Sequence, residues 1–509
     1  MNPHNAPDTP TTHPLGKAMN SHNASDTTDR HAIVIGGSVA GMLAARVLSD
    51  FFARVTVVER DQFPDQATFR KGVPQGRHAH GLLVRGINIL EEYFPGFVEA
   101  LLKDGAQFVN MGSGVTFYIA GKRLPSFESA LELLSCSRPL IEHVIRRKLQ
   151  DHTNVQILSG CRVEGLCTDA EQRRATGIRY RQRDEESGAL SELSADLVVD
   201  ASGRRSPLPK WLAQLGYTPP ESVSVDAKAG YASRLYRLPA GKGDVPMAYY
   251  MPEAPQQSRG GIVMPIESDA DERLILVTLI GLNGDYPPSD AAEFEAFARG
   301  LPASLFKTVI DGAEPLDAPY GYRQVENRLR KYDKLPRYLE GVVAVGDSVY
   351  ALNPVYGQGM TVAALASRAL HEELAAHQAR QGLDDLTGLA KTFQRKLATV
   401  IDAPWQLATG QDLRWPVAAE GHQTPIATRL VQRYFDTVLR TMPGDTVVAE
   451  AFFHVQNMLK PPTTLFHPTV VYRVLRARRA TRRMPLEASR APRRRVADET
   501  AERSLEKVS

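Results

Sequence analysis

The chain opens its patterned part with an uninterrupted apolar run, His31-Ala32-Ile33-Val34-Ile35. A run this short and continuous predicts a strand buried on both faces, as in a parallel sheet. Glycines follow. Met42, Leu43, Ala44, Val47 and Leu48 then recur at helical spacing, which predicts a helix over 39–52. Arg54-Val55-Thr56-Val57-Val58-Glu59 is rich in β-branched residues and predicts a second strand. Together these make one β-α-β unit.

Downstream, 71–83 is a loop punctuated by Gly and Pro, and helical patterns cover 84–93, 98–102 and 140–150. Strand-like pieces at 155–158, 162–168, 176–181 and 195–200, joined by turns, predict an antiparallel insert beside the parallel sheet. From 224 to 335 strands dominate (230–238, 261–266, 274–282), interrupted by a helix at 291–299. A second buried-strand signal stands at 341–346, a helix follows at 361–378, and 384–475 is mainly helical.

Composition changes this picture little. The chain has 509 residues, 43% hydrophobic and 23% charged, with a net charge of +3. These are ordinary globular values and give no reason to invoke a nucleic acid partner. Cys136, Cys161 and Cys167 are odd in number and match no zinc spacing, which fits a reducing cytoplasm. No run of about 18 apolar residues is present, so no membrane span is expected. Residues 1–29 are too polar to order themselves. Residues 476–509 carry Arg476, Arg478, Arg479, Arg482, Arg483 and the run Arg493-Arg494-Arg495, expected to be a solvated basic tail.

Four short runs carry the chemistry. Gly36-Gly37-Ser38-Val39-Ala40-Gly41 joins the first strand to the first helix. A tight turn there brings a helix N-terminus against a pyrophosphate, and Ser38 stands where the second glycine of a GxGxxG run is usual. Glu59, closing the second strand, is placed to accept the hydroxyls of an adenosine ribose. Late in the chain Gly346-Asp347 precedes Asn353-Pro354-Val355-Tyr356-Gly357-Gln358-Gly359-Met360. A carboxylate on that turn can hold ribityl hydroxyls, and the helix after it can stabilise negative charge on a reduced flavin ring. Between these lie Asp200-Ala201-Ser202-Gly203 and Ser137-Arg138-Pro139, the latter setting a guanidinium at a helix start. In the loop, His78 and His80 suit either a proton carrier or a structural hydrogen-bonder, the second being favoured. Trp405 and Trp415 fall in a segment expected to loop over the middle region, with core packing preferred over a pocket role. Tyr231, Tyr236, Tyr249, Tyr250 and Met251 suit an apolar ligand or a plain core equally.

In this order and spacing the four runs resemble the FAD-dependent monooxygenases of the aromatic-hydroxylase (group A) superfamily, over roughly residues 31–400. The resemblance implies an α/β fold: a Rossmann-type (GR2-like) FAD-binding domain, an inserted β-sheet substrate domain and a helical C-terminal region. The FAD-binding domain would comprise 30–110, 131–205 and 338–400. The substrate domain would comprise 111–130 and 206–337, and the helical region 401–475. It further implies that Gly36, Gly37, Ser38, Gly41, Glu59 and Arg60 surround the ADP half of FAD. Arg138 and Arg77 would meet the cofactor, Asp347 the ribityl chain, and Gly357, Gly359 and Met360 the isoalloxazine. Asp200 belongs to the motif that such enzymes link to FAD and NAD(P)H. Its Asp-Ala-Ser-Gly form is similar to flavin halogenases and polyketide epoxidases, and 72–81 resembles a loop of bacterial natural-product monooxygenases. The implied reaction is insertion of one oxygen atom of O2 into a small organic substrate through a flavin hydroperoxide. NAD(P)H or a separate flavin reductase supplies the electrons, and the chemistry is the cofactor's, so no side-chain catalyst is expected. The Trp-x-Trp-x-Ile-Pro run of halogenases is missing: the tryptophans are Trp211, Trp405 and Trp415. An FAD-dependent reductase on the same fold is the other alternative.

Overall fold

The computed structural model describes residues 29–183, 190–239, 245–268, 272–323, 325–420 and 425–483. Residues 1–28 and 484–509 lie outside these residues, while 476–483 of the expected basic tail continue the last helix, Pro468–Arg483. Strand β1 (His31–Ile35) is buried at all five positions and sits at the centre of a five-stranded sheet. Helix α1 (Val39–Leu48) crosses over to strand β2 (Arg54–Val58), which pairs in parallel with β1 so that Ile35 stands beside Val58. On the other flank Leu197–Asp200 pairs in parallel with β1, Ile35 beside Asp200, and Val342–Ala344 pairs in parallel beyond it. The carboxyl ends of all these strands are therefore level, which is where an open α/β sheet binds its ligand.

Three sequence expectations change here. The first helix stops at Leu48 instead of residue 52, because the chain turns to bury Phe51 and Phe52 in the core. Of the four strands expected as an antiparallel insert, only the middle pair belongs to one, with Ser191–Ser194 as its third strand. Val155–Leu158 instead forms the far edge of the parallel sheet beside β2, and Leu197–Asp200 lies inside it. Each of these strands continues the crossover geometry that short turns had disguised.

The second sheet is built around Leu274–Gly281, with Gly230–Arg237 and Arg259–Ile266 antiparallel on either side. Met247–Tyr250 follows, and Val115–Ile119 joins it in parallel from far upstream. Its residues alternate between two cores, as the two-residue period of a strand requires. Tyr236, Tyr250 and Val263 face helices Ala291–Arg299 and Ser304–Gly312. Tyr231, Tyr249 and Phe117 face the C-terminal helices.

The C-terminal part is helical, as expected, with one correction. The segment expected as a loop around Pro404 and Trp405 is the interior of a helix running Leu389–Asp412. Pro404 removes one helical N–H, but it is buried and packing on both sides carries the helix through. Helices Ile426–Thr441, Thr446–Gln456 and Pro468–Arg483 then close over the second sheet.

Candidate cofactor cleft and substrate chamber

The glycine turn after β1 is shaped by lack of space. A Cβ on Gly41 would lie 1.8 Å from the Gly36 carbonyl oxygen, so only glycine lets the helix start against the strand end. Ser38, the N-cap, caps no helix amide, and the first turn of α1 holds no acid. Its amides remain for an anion. The Ser38 hydroxyl instead donates to Glu142 Oε1 at 2.6 Å, where Arg138 Nη2 also donates at 2.6 Å and reaches Ser38 Oγ at 3.0 Å. Glu59 accepts from the Gly37 amide at 2.7 Å, which fixes the acid at the end of β2 against the turn.

The sequence did not point to Arg70. It donates to Glu142 at 3.3 Å, to Asp61 at 3.2 Å and to the Gly37 carbonyl at 3.2 Å, and lies 3.4 Å from Glu59. It joins the acid at the end of β2 to the helix that carries Arg138. Burial by itself would raise the Glu142 carboxyl. The Arg138 and Arg70 guanidiniums and the Ser38 hydroxyl outweigh that and bring it down to about 2. Arg70 sits in a run of loop polar residues with no helix or strand pattern, so nothing in the sequence singled it out. Arg60, expected near the adenosine, is exposed.

The late turn meets the early one. A Cβ on Gly346, whose φ is +59°, would approach Ala40 Cβ to 2.7 Å, so the Gly346-Asp347 turn rests on the first turn of α1. Asp347 presents a carboxylate that is 43% exposed and faces Arg204 Nε at 3.7 Å. Between the two turns stands Asp200, fully buried, accepting from the hydroxyls of Ser202 and Ser206 at 2.5 Å and from the Ser202 amide at 3.0 Å. Ser348, next to Asp347, accepts from the Gly203 amide at 2.9 Å. Asp200 thus lies behind the cleft wall and ties the middle turn to the late one.

Helix Gly359–Gln381 begins at the same cleft, also with no side-chain cap and no acid in its first turn. Nothing lies within 4 Å of a Cβ built on Gly203 or Gly359. Gly357 turns with φ +66° before that helix, and Met360 is buried under its start. Two uncapped helix N-termini, an arginine at each end and glycines facing open space fit an elongated dinucleotide whose far-end ring gains negative charge on reduction.

In the neighbouring loop Arg77 stacks between Phe69 and Tyr320, its guanidinium 4.7 and 5.1 Å from the ring centres. His78 is buried, with Nδ1 2.8 Å from Ser233 Oγ and rings of Tyr231, Tyr320 and Tyr322 around it. Burial, His80 and Arg77 lower it to about 3. His80 Nδ1 lies 2.9 Å from the His78 carbonyl, and burial and Arg138 lower it to about 4. Burial thus keeps both rings neutral near pH 7.

On the other side of the Gly357 loop is a mainly apolar chamber, open to solvent at one side. Its walls are Tyr249 and Met251 from the second sheet, Val355, Tyr356 and Gln358 from the loop, and Phe435, Leu439, Phe452 and Gln456 from the C-terminal helices. Trp415 is buried in that core and also borders the chamber, so both roles weighed for it hold. The long helix secures the loop. Asp412 accepts from Tyr356 Oη at 2.6 Å, from Asn353 Nδ2 at 3.0 Å and from Asn327 Nδ2 at 2.6 Å, and burial pushes its carboxyl up to about 6. No helix among the described residues is long and apolar enough to cross a membrane, and no cluster of His, Cys, Asp and Glu among them could hold a metal ion.

The FAD binding domain family matches residues 29–399. Protein Rv3254 of Mycobacterium tuberculosis (strain ATCC 25618 / H37Rv) is 32% identical over 445 residues, covering 84% of this chain and 90% of that protein. PqsL of Pseudomonas aeruginosa, a probable FAD-dependent monooxygenase, superposes with a TM-score of 0.54 at 17% identity, covering 76% of this chain and 98% of its own. The flavin-dependent brominase Bmp2 superposes with a TM-score of 0.54 at 15% identity, covering 88% and 92%. Fold and cleft define an FAD-binding flavoprotein. The chain belongs to the FAD-binding family of the aromatic-hydroxylase monooxygenases.

Proposed function

We propose that this protein is an FAD-dependent monooxygenase that inserts one oxygen atom of O2 into a small organic substrate held in the chamber beside the Gly357 loop. The observation that carries this reading is the seating of the Gly346-Asp347 turn on the first turn of α1. That contact sets both helix N-termini, Asp347 and Arg138 along one cleft whose far end borders an apolar chamber.

FAD, when bound, supplies the redox and oxygen-activating chemistry. The chain's residues do the rest. Gly36, Gly37, Ser38, Gly41, Glu59 and the α1 amides hold the ADP half, with Arg138 and Arg70 against the phosphates. Asp347 holds the ribityl hydroxyls. The start of helix Gly359–Gln381, behind Gly357, Gly359 and Met360, favours negative charge at the ring. Phe435, Leu439 and Phe452 exclude water from the substrate side. NAD(P)H is the electron source, directly or through a separate flavin reductase.

The test is a purified protein loaded with FAD. NADH or NADPH oxidation with oxygen uptake that rises on adding a phenol or alkene substrate is the expected result. Product that appears only with bromide or chloride would replace this reading with a halogenase. Turnover that persists without oxygen would replace it with a reductase.

A further inference from the structure

The last helix, Pro468–Arg483, has two unlike sides. Val470 and Val474, 4% and 1% exposed, pack into the core shared by the C-terminal helices. Positions 472, 475, 476 and 479 lie on the opposite side, because residues three and four apart share one face of a helix. There Tyr472 is 66% and Leu475 46% exposed, and Phe466, just before the helix, is 47% exposed. Arg476 and Arg479, both exposed, continue the same side. An exposed apolar residue standing alone is ordinary. Here an aromatic ring and an aliphatic chain stand in line with arginines. The charge is as uneven as the packing. Residues 451–486 contain Lys460, Arg473, Arg476, Arg478, Arg479, Arg482 and Arg483 and no Asp or Glu. The whole chain has a net charge of only +3, so the rest of it is acidic on balance. Asp445 holds Arg473 at 2.9 Å. Among the described residues no carboxylate pairs with Arg476, Arg478 or Arg479.

We propose that the outer side of this helix docks the protein, peripherally and reversibly, on an anionic lipid surface. Such a surface meets both halves of the pattern. Tyr472, Leu475 and Phe466 enter the boundary between headgroups and acyl chains, and the three arginines without a carboxylate partner lie among lipid phosphates. Other occupants meet only one half. A nucleic acid would satisfy the guanidiniums and leave Leu475 and Phe466 in water. A second copy of the chain, joined through the same side, would set these arginines against their own kind. A neutral bilayer would take the apolar groups and offer no net charge to the cations. Docking of this kind holds whatever reaction the flavin cleft performs.

The test is sedimentation of the full-length, FAD-loaded protein with vesicles of phosphatidylcholine alone and of phosphatidylcholine mixed with phosphatidylglycerol. Partition onto the mixed vesicles should exceed that onto the neutral ones by about 100-fold, and should fall as salt is raised. Replacing both arginines, Arg476→Ser with Arg479→Ser, should weaken binding to the mixed vesicles by about 25-fold. Replacing both apolar groups, Tyr472→Ser with Leu475→Ser, should weaken it by about tenfold. All four side chains point outward, so flavin content and elution volume should match the unaltered protein in both variants, which checks their folding. Equal partition onto neutral and mixed vesicles would overturn the proposal, as would mixed-vesicle binding that the apolar double variant keeps in full. Tight binding to a DNA duplex, kept by the apolar double variant and lost by the arginine one, would give this side to nucleic acid instead. Self-association that the apolar double variant abolishes would give it to a second copy.

Discussion

The two sides of the Gly357 loop are made by opposite means. The cofactor side is backbone: strand ends, helix starts, and glycines packed so closely that one methyl group at Gly41 would fall 1.8 Å from a carbonyl oxygen. The chamber side is side chain: Phe435, Leu439, Phe452 and Met251 set its shape, and any of them can be exchanged for another apolar residue at modest loss. In the proposed assignment the cofactor is gripped by groups that cannot vary, while the substrate meets groups that can. Gly41→Ala is the hardest test of that contrast. Its Cβ must displace the β1 end, and we expect FAD affinity to fall by about 100-fold or more, near 3 kcal/mol, read from flavin retained through gel filtration. Retention of full flavin would show that the turn yields, and the contrast would fail at its strongest point.

Asp412 is where the two sides join. Asp412→Ala leaves Asn353, Asn327 and Tyr356 without their acceptor, and we expect a loss of about 3 kcal/mol in urea unfolding. Asp412→Asn removes the titrating group while keeping one acceptor oxygen. Burial lifts the folded carboxyl from its ordinary 3.8 to about 6. The folded state therefore holds the proton more tightly than the unfolded chain. This contribution favours folding at low pH and is lost as pH rises from about 4 through 6. The asparagine variant should lack that decline, so the gap between the two unfolding midpoints should change across this window and stay constant above it.

Glu142 works in the opposite direction on the cofactor side. Its carboxyl is held at about 2 against an ordinary 4.5, so its stabilising effect is present above pH 4.5 and fades as pH falls towards 2. We expect Glu142→Gln to cost on the order of 1–2 kcal/mol near neutrality, with the difference from the unaltered protein closing in acid. A difference that stays constant down to pH 3 would mean that Arg70 and Arg138 do not hold this acid.

What could be read from the sequence follows the same division. The Gly36 to Gly41 turn, Glu59, Arg138 and the Asp347 turn were visible because backbone geometry forces particular residues at particular spacings, and a helix start facing a strand end tolerates little else. Arg70 was invisible because its partners Glu59, Asp61 and Glu142 come from separate segments, and only folding shows that one guanidinium serves all three. Asp200 was legible as a motif, yet its position behind the wall came from Ser202, Ser206 and Ser348, which a strand-and-turn pattern does not rank. The strands at 155–158 and 195–200 were found but assigned to the wrong sheet, since local alternation says nothing about which partner a strand chooses.

The smallest expected effect lies on a single helix. In Ile426–Thr441 the side chains of Ile426 and Leu430 are 77% and 59% exposed, while Leu439 lines the chamber. An apolar residue already in water gains almost nothing on folding, so its replacement changes neither state much. We expect Leu430→Ser to leave stability within about 0.5 kcal/mol and to leave flavin content unchanged, checked by the same urea unfolding and gel filtration. A larger loss would mean that this outer face is covered in solution, and the helix would then have two working faces where the contrast drawn above gives it one.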